Sequence, residues 1–184
     1  AYLRLGLLLE LKGRDREAIV LYERGAGKNV ENPEMLARIA LLHKRRGRRD
    51  VAHRMLRDLR KSYPKSMPII LELGVLLWES RRKDESKQTF EEALRMDPES
   101  DVALNRLAWF HAVEGKNLER GIELSKRSLS IRPATPPYLD TLAELYYRNG
   151  QHLGAISHIQ KAIEVDPNNR YYRVQLDKFK RSVR

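Results

Sequence analysis

Ile70-Leu71-Glu72-Leu73-Gly74-Val75-Leu76-Leu77, then after a charged turn Ser86-Lys87-Gln88-Thr89-Phe90-Glu91-Glu92-Ala93-Leu94, closed by Asp97-Pro98, is the stretch that decides the fold. Ile70, Leu73, Gly74 and Leu77 fall at i, i+3, i+4 and i+7, one face of a helix. Phe90, Ala93 and Leu94 make the apolar stripe of a second helix. Asp97-Pro98 ends it, because proline has no amide proton and restricts the residue before it. Gly74 lets the second helix come close to the first, at a propensity cost of about 1 kcal/mol relative to alanine.

Outward from this pair the same strings recur. Ala18, Ala52 and Ser86 stand 34 residues apart; Gly121 follows 35 later and Ala155 a further 34. Pro64, Pro98, Pro133 and Pro167 keep the same beat, as do Gly13, Gly47, Gly115 and Gly150. A single hairpin of this size cannot bury its own apolar face, whereas stacking on the next hairpin does. The period, with large apolar residues on the first helix, small residues at the helix contact and proline after the second, resembles the tetratricopeptide repeat (TPR) family over almost the whole chain.

The resemblance implies an all-α fold, a right-handed superhelical solenoid forming one domain. Its five helix-turn-helix repeats are expected at about 1–32, 33–66, 67–100, 101–135 and 136–169. Asn168-Asn169 is a favourable helix start. Tyr172, Leu176, Phe179 and Val183 give that helix an apolar stripe, so 170–184 reads as a capping helix. No such cap precedes Ala1, and further repeats upstream in a longer parent are expected. The fourth repeat departs from the pattern: Gly115-Lys116-Asn117 holds an extra residue, and Ser125 and Ser128 replace larger or apolar residues. Asn105-Arg106-Leu107-Ala108-Trp109 and Leu139-Asp140-Thr141-Leu142-Ala143 are similar to stretches of bacterial TPR proteins, which implies a bacterial origin.

Composition excludes several classes. The chain of 184 residues is 41% hydrophobic and 33% charged, the balance of a folded chain rather than a disordered one. It has no cysteine, hence no disulfide, thiolate metal site or cysteine nucleophile. No run approaches the roughly 18 apolar residues of a membrane span. No signal peptide is visible, and the compartment, cytoplasmic or periplasmic, stays open, as does a membrane anchor elsewhere in the parent.

No catalytic or metal constellation emerges. His43, His53, His111, His152 and His158 lack the spacing of two histidines four apart with an adjacent glutamate. Gly25-Ala26-Gly27-Lys28-Asn29 superficially matches a phosphate loop, but Tyr22 and Asn29 occupy positions that need glycine and serine or threonine. It reads as a turn between repeats. No carboxylate lies in an apolar run where burial would raise its pKa. The expectation is a protein without catalysis, cofactor or small-molecule substrate.

In the TPR family, first-helix positions 2, 5, 9 and 12 tend to face a ligand in a concave groove. Carried over, these are Leu3, Leu7 and Glu10; Glu34, Ala37, Leu41 and Lys44; Leu71, Val75 and Trp78; Val102, Asn105, Trp109 and Ala112; and Asp140, Glu144 and Tyr147. Arg38, Arg106 and Arg148 lie one step aside. Trp78, Trp109 and Tyr147 are the expected aromatic anchors, and Asn105 can both donate to and accept from a ligand backbone. A TPR subclass that grips a C-terminal carboxylate uses lysine and asparagine where Leu3 and Leu7, or Ala37 and Leu41, stand here, so that mode is not expected.

The net charge of +11 is uneven. Between Arg38 and Lys65, eleven basic residues face only Asp50 and Asp58. Lys44, Arg45, Arg46, Arg48, Arg49, Arg54, Arg57 and Lys61 form a candidate basic patch, which attracts acidic partners over about 8–10 Å at physiological salt. The sequence therefore points to a scaffold that holds an extended or helical protein segment, with acidic character favoured near the second repeat. The alternative is a basic surface for nucleic acid or an anionic membrane; against nucleic acid, the patch has no interleaved aromatics on which bases would stack.

Overall fold

The structure, a computed structural model, describes residues 1–27 and 32–183. Among these residues it is all-helical, with eleven α-helices and no strand. They are α1 (Tyr2–Leu11), α2 (Asp15–Ala26), α3 (Pro33–Arg45), α4 (Arg49–Ser62), α5 (Met67–Glu79), α6 (Lys83–Met96), α7 (Asp101–Glu114), α8 (Leu118–Ile131), α9 (Pro136–Arg148), α10 (His152–Val165) and α11 (Arg170–Arg181). Each successive pair occupies one repeat of 34 or, in the fourth, 35 residues, and α11 follows as the single helix expected there. Gly25 and Ala26 close α2, while Lys28 and Asn29 of the expected turn lie outside the described residues. None of the described helices is long and apolar enough to cross a membrane. The helices gather into two compact units, Ala1–Thr89 and Phe90–Arg184.

In the first unit the stacking surfaces follow the repeat. Ala18, Ile19 and Tyr22 of α2 pack with Met35, Ile39 and Leu42 of α3. Ala37 and Ala40 of α3 pack with Ala52 and Leu56 of α4 and with Ile69 and Leu76 of α5. The close approach expected at Gly74 is present: its carbonyl accepts a hydrogen bond of 2.7 Å from the buried Ser86 hydroxyl on α6.

The turn inside each repeat has a common construction. Gly13 and Arg14 donate to the carbonyls of Glu10 and Leu9, Gly47 and Arg48 to Lys44 and His43, Arg81 and Arg82 to Trp78 and Leu77. Closing the last turn of the first helix in this way needs a left-handed residue. Gly13 (φ 70°) and Gly47 (φ 80°) supply it, and in the third repeat the non-glycine residue Arg81 adopts φ 61°.

In the second unit Gly150 and Gln151 repeat the same bonds, to Tyr147 and Tyr146. The fourth repeat accommodates its extra residue with two left-handed positions, Gly115 (φ 64°) and Asn117 (φ 51°). His111 Nδ1 ties the loop down by donating to the Lys116 carbonyl at 3.0 Å. Ser125 and Ser128 are fully buried, and Ser128 donates to the Ser125 carbonyl at 2.8 Å. Gly121 brings α8 against its neighbours: a Cβ there would meet Leu145 Cδ2 at 2.6 Å and His111 Cβ at 2.8 Å.

Leu139 and Ala143 of α9, Ala155, Ile159 and Ala162 of α10, and Tyr172 and Phe179 of α11 form one core. The Asn169 side chain caps α11 by accepting from the Tyr171 amide at 3.1 Å. The apolar stripe of α11 ends at Phe179; Val183, expected to continue it, lies beyond the helix and is half exposed.

Candidate partner-binding faces

First helices stacked side by side bring together residues one period apart. In the second unit Val102, Asn105, Arg106 and Trp109 of α7 face Pro137, Tyr138, Asp140 and Thr141 of α9, with Tyr171 of α11 closing a cavity of about 340 Å³. In the first unit Glu34, Ala37 and Leu41 of α3 and Leu71 of α5 line a comparable cavity of about 360 Å³, with Arg38, Met67, Pro68 and Glu72 around them. Both are at the small end of ligand-sized pockets, about 300–1,000 Å³. The positions that line them include Glu34, Ala37, Leu41, Leu71, Val102, Asn105, Trp109 and Asp140, all carried over as ligand-facing.

The floor of the second-unit cavity is polar. Asn105 is 6% exposed, and its Oδ1 has no hydrogen-bond partner among the described residues. Asp140 Oδ1 is likewise buried without one. Burial pushes the Asp140 carboxyl up to about 6, nearby Glu144 adds to the rise, and a hydrogen bond from Tyr171 and the charge of Lys178 oppose it. This corrects the expectation that no carboxylate is raised by burial. Beyond Pro137 of its own helix, the apolar surroundings of Asp140 come from α7 and α11, which the local sequence does not show. Beside it, Tyr138 donates to Asp101 at 2.8 Å, and burial together with that bond pushes the phenol up to about 12.

The remaining expected groove residues are placed differently. Glu144 is 4% exposed and accepts from Arg148 Nε and from Lys178 Nζ, each at 2.7 Å. The Tyr147 ring packs 4.9 Å from Phe179 and 5.5 Å from His152, with Lys178 Nζ 4.6 Å from its centroid. Glu144, Tyr147 and Arg148 are thus engaged with, or tied through Glu144 to, α11. Trp78, in the first unit, is half-buried, with Lys83 Nζ 5.5 Å from its ring centroid. Tyr171 was not singled out from the sequence. The signal was there: it lies one period after Pro137, so α11 stands where another first helix would.

Several residues of the expected basic patch have acidic partners. Arg45 forms a two-pronged ion pair with Asp15, and Lys44 pairs with Glu79 at 3.0 Å. These acids lie about one period away, where a local count of charges does not reach. Lys61 pairs with Asp58 at 3.4 Å. His53 has Arg57 3.3 Å from Nδ1 and Arg82 3.1 Å from Nε2, and burial, with these arginines, holds it below the ordinary imidazole range. Arg48, Arg49 and Arg54 are exposed and Arg46 is half-buried. Among the described residues no cluster of histidines and carboxylates is arranged to hold a metal ion.

Comparison with known proteins matches this fold. Family models described as tetratricopeptide repeat match residues 1–34, 36–66, 71–136 and 136–169. ER membrane protein complex subunit 2 of Xenopus tropicalis is 27% identical over 134 residues, covering 73% of this chain and 45% of that protein. BBSome complex member BBS4 of Bos taurus is 23% identical over 163 residues, covering 89% of this chain and 31% of that protein. The chain thus spans less than half the length of these curated relatives. Among solved structures, the thermophilic TPR protein TTC0263 of Thermus thermophilus superposes with a TM-score of 0.75 at 24% identity, covering 97% of this chain and 96% of that one. The Cut9–Hcn1 hetero-tetramer of the APC/C gives a TM-score of 0.84 at 12% identity, covering 97% of this chain and 35% of that one.

Proposed function

Since the chain belongs to the tetratricopeptide repeat family, whose repeats serve generally as protein-interaction scaffolds, we propose that it holds an extended or helical segment of a partner protein against its first helices, without catalysis. The observation that carries this reading is that a cavity in each unit is lined in part by first-helix positions expected to face a ligand. In the second unit Trp109 offers an amphipathic anchor beside the polar Asn105. The curated relatives are named as members of protein complexes, which supports a protein partner. The exposed Arg48, Arg49 and Arg54 favour an acidic stretch in that partner or in a second one, through attraction that salt weakens.

The test is a selection of peptides from a displayed random library on the intact chain. Binders should lose more than about tenfold in affinity with Trp109→Ala, as expected of an aromatic anchor, while thermal unfolding changes little. Leu107→Ala, which empties a buried core position, should instead cost about 2–5 kcal/mol of stability. Binders indifferent to Trp109, or a Trp109→Ala variant as unstable as Leu107→Ala, would defeat the reading.

A further inference from the structure

Two residues that line the second-unit cavity, Asn105 and Asp140, each hold a buried side-chain oxygen, Oδ1, that lacks a partner among the described residues. A buried acceptor left unpaired forfeits the hydrogen bond it made with water. We propose that this cavity is a subsite for a basic side chain, lysine or arginine, of the bound segment, with its cationic head against Asp140 and Asn105 and its stem along Trp109. The inference rests on the groove reading above and gives it a chemical specificity.

Most donors around Asp140 are committed elsewhere. Facing Asp140 are Tyr171 and Lys178 from α11, Glu144 on its own helix, and Arg106 and Tyr138 around the same cavity. Lys178 is committed to Glu144, as is Arg148. Tyr138 and Arg132 are committed to Asp101. The Tyr171 hydroxyl accepts from Gln175 at 2.6 Å and helps lower the Asp140 carboxyl, but Asp140 Oδ1 stays without a partner among the described residues. An ammonium or guanidinium carries only donors, which is the chemistry the orphaned oxygens lack. A ligand carboxylate could meet the half-buried Arg106, but it would set acceptor against acceptor at the floor and leave both orphans as they are. The indole face of Trp109 attracts a cation, and Val102 and Pro137 suit the aliphatic stem of a long basic side chain. The raised Asp140 carboxyl is what an unpaired acid in such a place shows, and an incoming cation reverses it.

The experiment takes the Trp109-dependent peptides from the selection and measures each against the wild-type chain and Asp140→Asn, near pH 8 and near pH 5. Asp140→Asn removes a charge that burial penalises and keeps the shape, so the fold is retained. Each peptide should contain a lysine or arginine whose replacement by norleucine costs tenfold or more in the wild type near pH 8. The same replacement should cost little in Asp140→Asn or near pH 5. N-α-acetyl-lysine amide, followed by amide shifts of Asn105 and the Trp109 indole proton, should perturb both signals where N-acetyl-norleucine amide does not. Trp109-dependent peptides that need no basic residue, prefer an acidic one or ignore Asp140→Asn would overturn the cation subsite and leave the groove standing. A library that yields no Trp109-dependent binder would remove both.

Discussion

Replacing Arg81 with glycine should stabilise the protein. Arg81 sits at φ 61° in the third repeat, at the turn position where Gly13, Gly47, Gly115 and Gly150 take φ values from 64° to 80°. Left-handed backbone costs an L-residue roughly 1–2 kcal/mol, through the clash of Cβ with the following carbonyl. Glycine avoids that cost but loses about 0.5–1 kcal/mol through the greater freedom of its unfolded chain. The Arg81 side chain is exposed, so little packing is lost, and the two terms leave a net gain of about 0.5–1 kcal/mol. In a chain of this length that raises the thermal midpoint by about 1–4 °C. The mirror experiment is Gly47→Ala in the same unit. A Cβ at Gly47 meets nothing within 4 Å, so only backbone terms act, and a loss of about 0.5–1 kcal/mol is expected. Thermal and urea unfolding followed by circular dichroism would measure both. A destabilised Arg81→Gly, or a neutral Gly47→Ala, would refute the conformational account of this turn.

Asp140→Asn should stabilise the chain near pH 7 by up to about 3 kcal/mol. The folded state raises this carboxyl from 3.8 to about 6, so it binds more protons than the unfolded state in that window. Stability therefore falls as pH rises from about 4 to about 6, and the gain from the substitution should vanish in urea titrations near pH 4. Ala155→Leu, at a fully buried position in the α9–α10–α11 core, should overpack it and cost about 1–3 kcal/mol; an unchanged unfolding midpoint would show the wrong contact had been named. Replacing Arg48, Arg49 and Arg54 together with serine should weaken binding to an acidic peptide and flatten its salt dependence while leaving unfolding unchanged, and a salt dependence identical to the parent's would reduce these residues to solvated surface.

What the sequence made legible was whatever repeats with the period. Ala18, Ala52 and Ala155 are buried as their shared register demands, and the same register, extended to the first helices, picked out about half of the cavity-lining residues. What it could not show depends on neighbours about one period away. Glu144 and Tyr147 looked like free groove residues until α11 brought Lys178 and Phe179 to them. Arg45 and Lys44 looked like unopposed charges until α2 and α5 supplied Asp15 and Glu79. Arg81 escaped notice because the glycine pattern around it was complete enough to read the repeat without it.

Tyr171 walls the second-unit cavity from α11, the last helix. Anything that seats against it binds only those molecules in which that helix is docked, so occupancy and docking are thermodynamically linked, each favouring the other by the same free energy. The C-terminal segment then becomes a built-in reporter. Its backbone amides should exchange more slowly with solvent when the cavity is filled, because helix ends otherwise open at little cost. Conversely, a protease cut or a fusion that pries α11 loose would dismantle the cavity without touching a residue of α7 or α9.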